Sequence, residues 1–289
     1  MIECHRRAWL LGALAVVTAS PARADDAVTR AQAELAALEA KAGGRLGVYV
    51  VDPGSGRLLQ HRADERFPMC STFKALAAAA LLARVDAGEE RLDRRIVYTQ
   101  ADLLSYAPVA KAHVAEGMTL GEIAAATIDF SDNTAANLML EAIGGPAGLT
   151  AFLRANGDTV TRLDRNEPTL NEATPGDIRD TSSPRAFAES LRNLLTGERL
   201  SAASRAQLEA WMIADKVGDA RLRAGLPKDW GIGDKTGTGD RGSTNTVAII
   251  RPPGRGPLFA AVFFTESEAP MSTRNDLHRA VAEIVARTF

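Results

Sequence analysis

A serine and a lysine stand three residues apart in the segment MCSTFK, residues 69–74, where a long Ala/Leu-rich run begins. On a helix, Ser71 and Lys74 share one face, and the N–H of Ser71 is among the free donors of the first turn. Such a donor can hold a developing oxyanion, and a lysine against apolar surroundings loses proton affinity and becomes a usable base. A capping serine beside a lysine that reaches solvent is the commoner explanation of this motif on its own.

Two further segments carry polar groups of the same kind. FSDNTAANL places Ser131 and Asn133 at a loop that opens a helix, and GDKTGTGDRGS places Lys235, Thr236 and Gly237 on a strand. Each segment also has an ordinary structural interpretation, as a helix cap and as a polar edge strand. The three motifs together, in this order, are far more specific than any one of them.

This set of motifs resembles the serine β-lactamase and penicillin-binding protein superfamily. A fourth segment, RNEPTLNEATPGDIRDTSSP, resembles the omega-type loop of class A β-lactamases, which would span residues 165–180. It carries Glu167 and Asn171, and the resemblance implies an ion pair between Arg165 and Asp180. The likeness covers essentially the whole chain after its N-terminal leader.

The resemblance implies an acyl-enzyme mechanism, in which Ser71 attacks a lactam carbonyl and water then hydrolyses the ester. The N–H groups of Ser71 and Thr238 would form the oxyanion hole, and Glu167 with Asn171 would hold the hydrolytic water. Lys74 would bridge the serines and Glu167, and whether Lys74 or Glu167 takes the Ser71 proton stays open. The implied activity is hydrolysis of β-lactam antibiotics, which confers resistance to them.

The resemblance also assigns the groups that would bind substrate or complete proton transfer. These are Ser131 as proton donor to the departing lactam nitrogen, Tyr106 as an aromatic wall, Asn133 at the side-chain amide, and Lys235, Thr236 and Gly237 along the substrate carboxylate.

An anionic substrate favours an arginine in the site, because a guanidinium matches a carboxylate. Many relatives carry this arginine shortly after the Arg-Gly pair of the last motif, where this chain has Thr244. Arg221 occupies a position from which some family members supply the guanidinium. Arg274 is the second candidate.

Two other functions share the pair formed by Ser71 and Lys74. One is a peptidoglycan transpeptidase or DD-peptidase, and the other is a β-lactam receptor that stays acylated in order to signal. Glu167 supplies a deacylation base that distinguishes a hydrolase from both, and no membrane tether for a receptor is visible after the leader. We therefore expect a class A serine β-lactamase that acts on penicillins and cephalosporins without a cofactor.

These motifs need a framework that brings distant parts of the chain together. Strand patterns lie near both ends, and Ala/Leu-rich helical patterns lie between them. We expect an α+β fold in which residues 25–68 and 222–289 build a five-stranded antiparallel sheet with flanking helices. An all-helical subdomain, residues 69–221, would be inserted, with the active site at the seam.

The first 24 residues have the pattern of an export signal. Arg6 and Arg7 precede a short apolar stretch, and residues 22–24 form a small-x-small cleavage site. Cleavage there would leave a periplasmic or secreted chain, with the Sec and twin-arginine routes both open. The apolar stretch is too short to span a bilayer as a helix.

Composition excludes several other classes of protein. A net charge of −2 and a hydrophobic content of 46% argue against disorder and give no reason to expect nucleic acid or an anionic membrane as partner. Cys4 would leave with the signal, so Cys70 alone cannot form an intrachain disulfide. The four histidines lack metal-ligand spacing, and we expect a monomer without a metal.

Overall fold

The computed structural model describes residues 21–289, so most of the expected export signal lies outside the described residues. The α-helices are α1 (Pro21–Ala42), α2 (Phe73–Asp86), α3 (Leu120–Asp129), α4 (Asn133–Ala142), α5 (Gly145–Ala155), α6 (Pro184–Thr196), α7 (Ala202–Ile213), α8 (Leu222–Gly225) and α9 (Met271–Thr288). The strands are β1 (Arg45–Val51), β2 (Leu58–His61), β3 (Phe67–Pro68), β4 (Arg95–Ile96), β5 (Met118–Thr119), β6 (Thr181–Ser182), β7 (Gly231–Thr238), β8 (Thr244–Arg251) and β9 (Leu258–Thr265).

Five strands form one antiparallel sheet in the order β2-β1-β9-β8-β7, so strands from both ends of the chain meet at its centre. β1 pairs with β9, from Arg45 opposite Thr265 to Val51 opposite Phe259. Alternate side chains of a strand point to opposite faces. Every residue of β9 is buried, so the strand is covered on both faces. One face packs against α1 and α9, and the other packs against the remaining helices. The expected α+β class and five-stranded antiparallel sheet are confirmed.

Helix α2 accounts for the Ala/Leu-rich run that follows the serine motif. The run from Phe73 to Leu82 is buried, because α3, α4, α5 and α7 all pack against α2. Small alanine side chains let these helices approach closely. Lys74 is the charged residue within this run, and a buried charge costs free energy unless it is paired.

Two features of the layout tie the middle of the chain to the sheet. Helix α6 lies on β1 and β9, where Phe187 packs edge-on against Phe263 with ring centroids 5.8 Å apart. The short ladder of β3 with β6 joins the segment before Ser71 to the end of the omega-type loop. The division into two subdomains at residues 69 and 221 stays a prediction.

Candidate active site

Ser71 lies in a single 3-10 turn, Cys70–Thr72, that leads directly into α2. The first residue of this turn has a φ of +46°, a conformation that side chains other than glycine adopt at a cost. Asn245 on β8 holds the turn, because its side-chain amide donates to the carbonyl oxygens of Pro68 at 2.8 Å and Met69 at 2.9 Å. Ser71 therefore lies in a fixed turn that ends directly before the first residue of α2.

Strand β7 comes close to this turn because Gly237 has no side chain. A Cβ on Gly237 would lie 2.8 Å from the carbonyl oxygen of Met69 and 3.2 Å from the nitrogen of Ser71, so the turn or the strand would have to move. The next residue, Thr238, lines the same cleft as Ser71. The two residues expected to supply oxyanion donors are thus brought together.

The amino group of Lys74 contacts three residues of the expected site. Its Nζ lies 3.0 Å from Glu167 Oε1 and donates to Asn133 Oδ1 at 2.7 Å. It also donates to the carbonyl oxygen of Ser131 at 2.8 Å and lies 3.3 Å from the Ser131 hydroxyl. Burial lowers the pKa of Lys74, and the charge of Glu167 offsets part of this effect. In the part of the chain that the structure describes, the link from Lys74 to Ser71 passes through Glu167.

Ser131 lies between α3 and α4 in a left-handed conformation, with a φ of +57°. Asp132 holds this junction from both sides. One carboxylate oxygen caps α4 by accepting from the N–H of Ala135 at 2.9 Å, and the other accepts from the N–H groups of Val109 and Ala110, both at 2.9 Å. The strained backbone is therefore over-determined by its surroundings, as strained positions in active sites commonly are.

Glu167 joins the separate motifs into one constellation. Its side chain is fully buried. Oε1 accepts a hydrogen bond from the Ser71 hydroxyl at 3.0 Å and faces Lys74, while Oε2 accepts from Asn171 Nδ2 at 2.6 Å. A carboxylate at this distance from a hydroxyl is within reach for proton transfer.

The loop that carries Glu167 is held in place by ion pairing and by an amide. Arg165 Nε lies 2.6 Å from Asp180 Oδ2, which is the expected ion pair. Asn137 on α4 makes two hydrogen bonds to the backbone of Glu167: its Nδ2 donates to the carbonyl oxygen and its Oδ1 accepts from the N–H, both at 3.0 Å. The backbone of the acid is therefore fixed to the helix that follows Ser131.

Sequence reasoning missed two of these supporting residues, Asn137 and Asn245. Asn137 stands four residues after Asn133 on α4, and this spacing places both amides on the same face of the helix. Asn245 is a buried amide inside a strand, where asparagine is depleted, and such a group needs specific partners. Both patterns are visible in the sequence, but neither indicates which residue the amide binds.

Lys235 is fully buried on β7, and its Nζ donates to the carbonyl oxygen of Thr236 at 2.9 Å. Burial lowers the pKa of Lys235 to about 8, and the charge of Asp215 opposes this effect. Thr236, the neighbouring residue, lines the cleft. The strand therefore places a buried amino group on the backbone of a residue that lines the cleft.

Arg221 lies against the same strand, with 6% of its surface exposed. One guanidinium nitrogen donates to the carbonyl oxygens of Gly237 at 2.7 Å and Asn245 at 2.8 Å, and another donates to the Thr238 hydroxyl at 2.7 Å. Burial lowers the pKa of Arg221 to about 10. Of the two arginines considered, Arg221 lines the cleft, and Arg274 is not among the lining residues.

Several of the residues described above line an open cleft of about 270 Å³. Its walls are polar and include Ser71, Ser131, Asn171, Thr236 and Arg221. Tyr106 stands at the mouth, 48% exposed, and its hydroxyl donates to the carbonyl oxygen of Phe130 at 3.2 Å. The cleft thus exposes the nucleophile Ser71 and the Arg221 guanidinium, and the buried Glu167 and Lys74 lie behind Ser71. This arrangement suits acyl transfer to an anionic substrate.

The chain from residue 30 to residue 289 matches the model of the Beta-lactamase enzyme family. An ancestral (GNCA) class A β-lactamase is 59% identical, with a TM-score of 0.89 over 90% of this chain and 100% of the other. The chain belongs to the class A β-lactamases. The last common ancestor of Gram-negative bacteria (GNCA4) class A β-lactamase is 60% identical, with a TM-score of 0.87 over 88% of this chain and 97% of the other. A Rhodopseudomonas palustris protein, PenP, described as a class A β-lactamase, is 53% identical, with a TM-score of 0.89 over 90% of this chain and 100% of the other.

This class A β-lactamase is a serine hydrolase of β-lactams, as the motifs predict. Within residues 21–289, no group of three or more His, Cys, Asp or Glu side chains is arranged to hold a metal ion. No helix in that part of the chain is both long and apolar enough to cross a membrane. Cys70 is a free, buried thiol, and burial raises its pKa to about 12, which makes it unreactive.

Proposed function

We propose that this β-lactamase forms an ester on Ser71 and that Glu167 activates the water that hydrolyses it. The observation that carries the proposal is the position of the Glu167 carboxylate, with one oxygen on the Ser71 hydroxyl and the other on the Asn171 amide. Penicillins and cephalosporins are the proposed substrates. Release of the ester would make the protein a resistance enzyme rather than a target of these drugs.

In the acylation step, Ser71 Oγ bonds to the lactam carbonyl carbon, and the carbon–nitrogen bond of the lactam breaks. The N–H groups of Ser71 and Thr238 hold the oxyanion, each donor contributing roughly 3 kcal/mol to transition-state stabilisation. Ser131 passes a proton to the departing nitrogen, and its contact with Lys74 provides the route by which that proton is replaced. Either Lys74 or Glu167 accepts the proton that Ser71 loses.

In the deacylation step, a water between Glu167 and Asn171 loses a proton to the carboxylate, and its oxygen bonds to the ester carbonyl carbon. The bond from that carbon to Ser71 Oγ then breaks, and the serine oxygen takes up a proton, which regenerates the free enzyme. The side-chain nitrogen of Asn171 donates a hydrogen bond to Glu167 Oε2. The side-chain oxygen of Asn171, Oδ1, is buried and accepts no hydrogen bond from the described residues. Buried acceptors are normally satisfied, and a water that donates to this oxygen would sit beside the carboxylate. This pairing supports Glu167 as the general base.

Turnover by the wild-type protein separates this function from the two alternatives. The purified enzyme should hydrolyse nitrocefin and benzylpenicillin through many turnovers, and its intact mass should return to that of the free protein once substrate is consumed. A stable acyl mass would indicate a receptor. Release of D-alanine from a D-Ala-D-Ala peptide at a rate above that of penicillin hydrolysis would indicate a peptidase.

Replacing Arg221 with alanine should raise KM for benzylpenicillin by about 10- to 100-fold with a smaller change in kcat, because a charge-assisted contact to a carboxylate is lost. Arg221 is the proposed guanidinium because it lines the cleft beside Thr238. Arg274→Ala is the matched control and should leave KM within about threefold, since it removes a neighbouring cation outside the cleft. If the two variants exchange these results, Arg274 holds the substrate carboxylate.

The protein is also proposed to act outside the cytoplasm as a monomer that is not bound to a membrane. The basic start, short apolar stretch and Ala-Arg-Ala site of residues 1–24 support export. A cell fractionation that finds the activity in the periplasm would support this location, and retention in the cytoplasm would contradict it.

A further inference from the structure

Helix α9 carries a fully buried histidine, His278, that the proposed mechanism does not use. Its Nε2 lies 3.1 Å from the carbonyl oxygen of Thr244, and its Nδ1 lies 3.2 Å from the hydroxyl oxygen of Thr246. Thr244 and Thr246 flank Asn245 on β8. The imidazole ring therefore spans three consecutive residues of the strand and binds both neighbours of Asn245.

These two contacts determine which ring nitrogen carries the proton. A carbonyl oxygen can only accept a hydrogen bond, so Nε2 must be the donor to Thr244. Nδ1 then accepts from the Thr246 hydroxyl, and the ring is neutral. Burial and the charge of Arg221 disfavour a second proton and lower the pKa of His278 to about 3. One turn earlier on α9 stands another cation, Arg274, and no carboxylate bonds to the ring among the described residues.

Asn245, the residue between the two threonines, connects β8 to two parts of the site. Its side-chain amide donates to the carbonyl oxygens of the nucleophile turn, and its own carbonyl oxygen accepts from the Arg221 guanidinium at 2.8 Å. The peptide group that joins Thr244 to Asn245 is bonded to His278, and the next carbonyl along the strand is bonded to Arg221. A shift of this segment of β8 would therefore move an acceptor of Arg221.

Helix α9 also contacts Arg221 directly. Asn275 stands three residues before His278 and so lies on the same face of the helix. Its Oδ1 accepts from Arg221 Nε at 3.2 Å. One face of α9 therefore holds the guanidinium by two routes, directly through Asn275 and indirectly through His278 and β8.

We propose that His278, as the neutral tautomer protonated on Nε2, fixes Asn245 on β8 and thereby positions the Arg221 guanidinium for the carboxylate of the substrate. His278 is a positioning residue, because it acts through Asn245 and Arg221 and is not among the residues that line the cleft. A doubly protonated ring would lose the acceptor for Thr246 and would place a second positive charge near Arg221. This inference rests on the proposed role of Arg221 in substrate binding.

NMR of the imidazole nitrogens in the unliganded protein tests the tautomer without any assay of activity. In protein labelled with ¹⁵N-histidine, the His278 ring should carry a proton on Nε2 and none on Nδ1, with no change between pH 5 and pH 8. His278→Gln should remove this set of signals, which assigns it. A ring protonated on Nδ1, or one that becomes doubly protonated within this pH range, overturns the proposed tautomer.

Kinetics of His278 variants test the positioning role. His278→Leu fills much of the same space without either hydrogen bond and should raise KM for benzylpenicillin about tenfold, with kcat within about threefold. His278→Gln should restore most of the affinity, because its side-chain amide can donate to the carbonyl oxygen of Thr244. His113→Gln changes an exposed histidine and is the matched control, with KM unchanged. Unchanged KM in His278→Leu, or a fall in kcat alone, overturns the role toward Arg221.

A double-mutant cycle separates an effect through Arg221 from a general loss of structure. Effects of residues that act through one another do not add, whereas independent effects do. In protein that already carries Arg221→Ala, His278→Leu should change KM by less than about twofold. A further rise of about tenfold in the double variant would overturn the positioning role. If Arg221→Ala alone leaves KM unchanged, the role of Arg221 and the positioning role both fail, while the NMR result on the tautomer is decided separately.

Discussion

Replacing Glu167 with alanine is expected to give a protein that reacts once with benzylpenicillin and then stops, with the opened drug attached to Ser71. The carboxylate that would deprotonate the hydrolytic water is gone, and loss of a general base slows a step by about 10²- to 10⁴-fold. The hydroxyl, the oxyanion donors and the substrate cations remain. Intact-mass spectrometry of quenched reactions should show one added drug mass per protein, and nitrocefin should give a burst of one equivalent.

The rate of this burst also distinguishes the two candidate bases for acylation. Glu167 raises the pKa of Lys74, so its removal should lower that pKa further and leave a larger fraction of Lys74 neutral. If Lys74 is the base, the burst should stay fast; if Glu167 is the base, the burst itself should slow. These outcomes identify the group that accepts the Ser71 proton in acylation. Neither outcome affects the role of Glu167 as the base in deacylation.

Glu172→Ala is the matched control for this experiment. Glu172 lies on the same loop and pairs with Arg165, but its side chain is 52% exposed and makes no contact with Glu167 or Ser71 among the described residues. An exposed ion pair contributes little, so turnover should remain within about threefold of the wild type. Steady turnover by Glu167→Ala, or a trapped ester in Glu172→Ala, would contradict the assignment of the base.

Much of the fold follows from local sequence patterns. The strand patterns at the two ends and the helical patterns between them already imply one sheet built from distant segments, and β9 beside β1 shows this arrangement. The sequence does not reveal that α6 lies on the sheet, or that the ladder of β3 with β6 ties the omega-type loop to the nucleophile turn. Such contacts depend on the packing of elements far apart in the chain, and no local periodicity encodes them.

In the candidate site, the sequence predicts the motif residues but not the residues that hold them in place. Ser71, Lys74 and Glu167 were identifiable because their types and order match a family pattern. Asn137 and Asn245 were not, since each acts by hydrogen bonding to the backbone of another segment, and an isolated asparagine says nothing about its partner. The expected helix at Ser71 is likewise a 3-10 turn, because Asn245 and Gly237 constrain the backbone before α2 begins.

Replacing Ser71 with alanine is expected to abolish turnover of nitrocefin and penicillins, with a loss in kcat of roughly 10⁵- to 10⁶-fold, the order seen when a catalytic nucleophile is removed. The fold should be unaffected, because Glu167 Oε1 keeps its contact with Lys74 Nζ after the hydroxyl is lost. Substrate should still bind, since Lys235, Arg221 and the cleft walls are unchanged. Stopped assays, a thermal melt and calorimetric titration with benzylpenicillin would measure the three effects.

The control variant is Cys70→Ala, one residue earlier in the same turn. A buried thiol whose pKa is raised to about 12 is almost entirely protonated at neutral pH and is a poor nucleophile, so kcat should stay within about threefold of the wild type. Stability should fall by about 1 kcal/mol, as expected when a small buried side chain is shortened. The opposite pattern, with turnover retained in Ser71→Ala and lost in Cys70→Ala, would show that the neighbouring thiol attacks the lactam and would overturn the acyl-enzyme on Ser71.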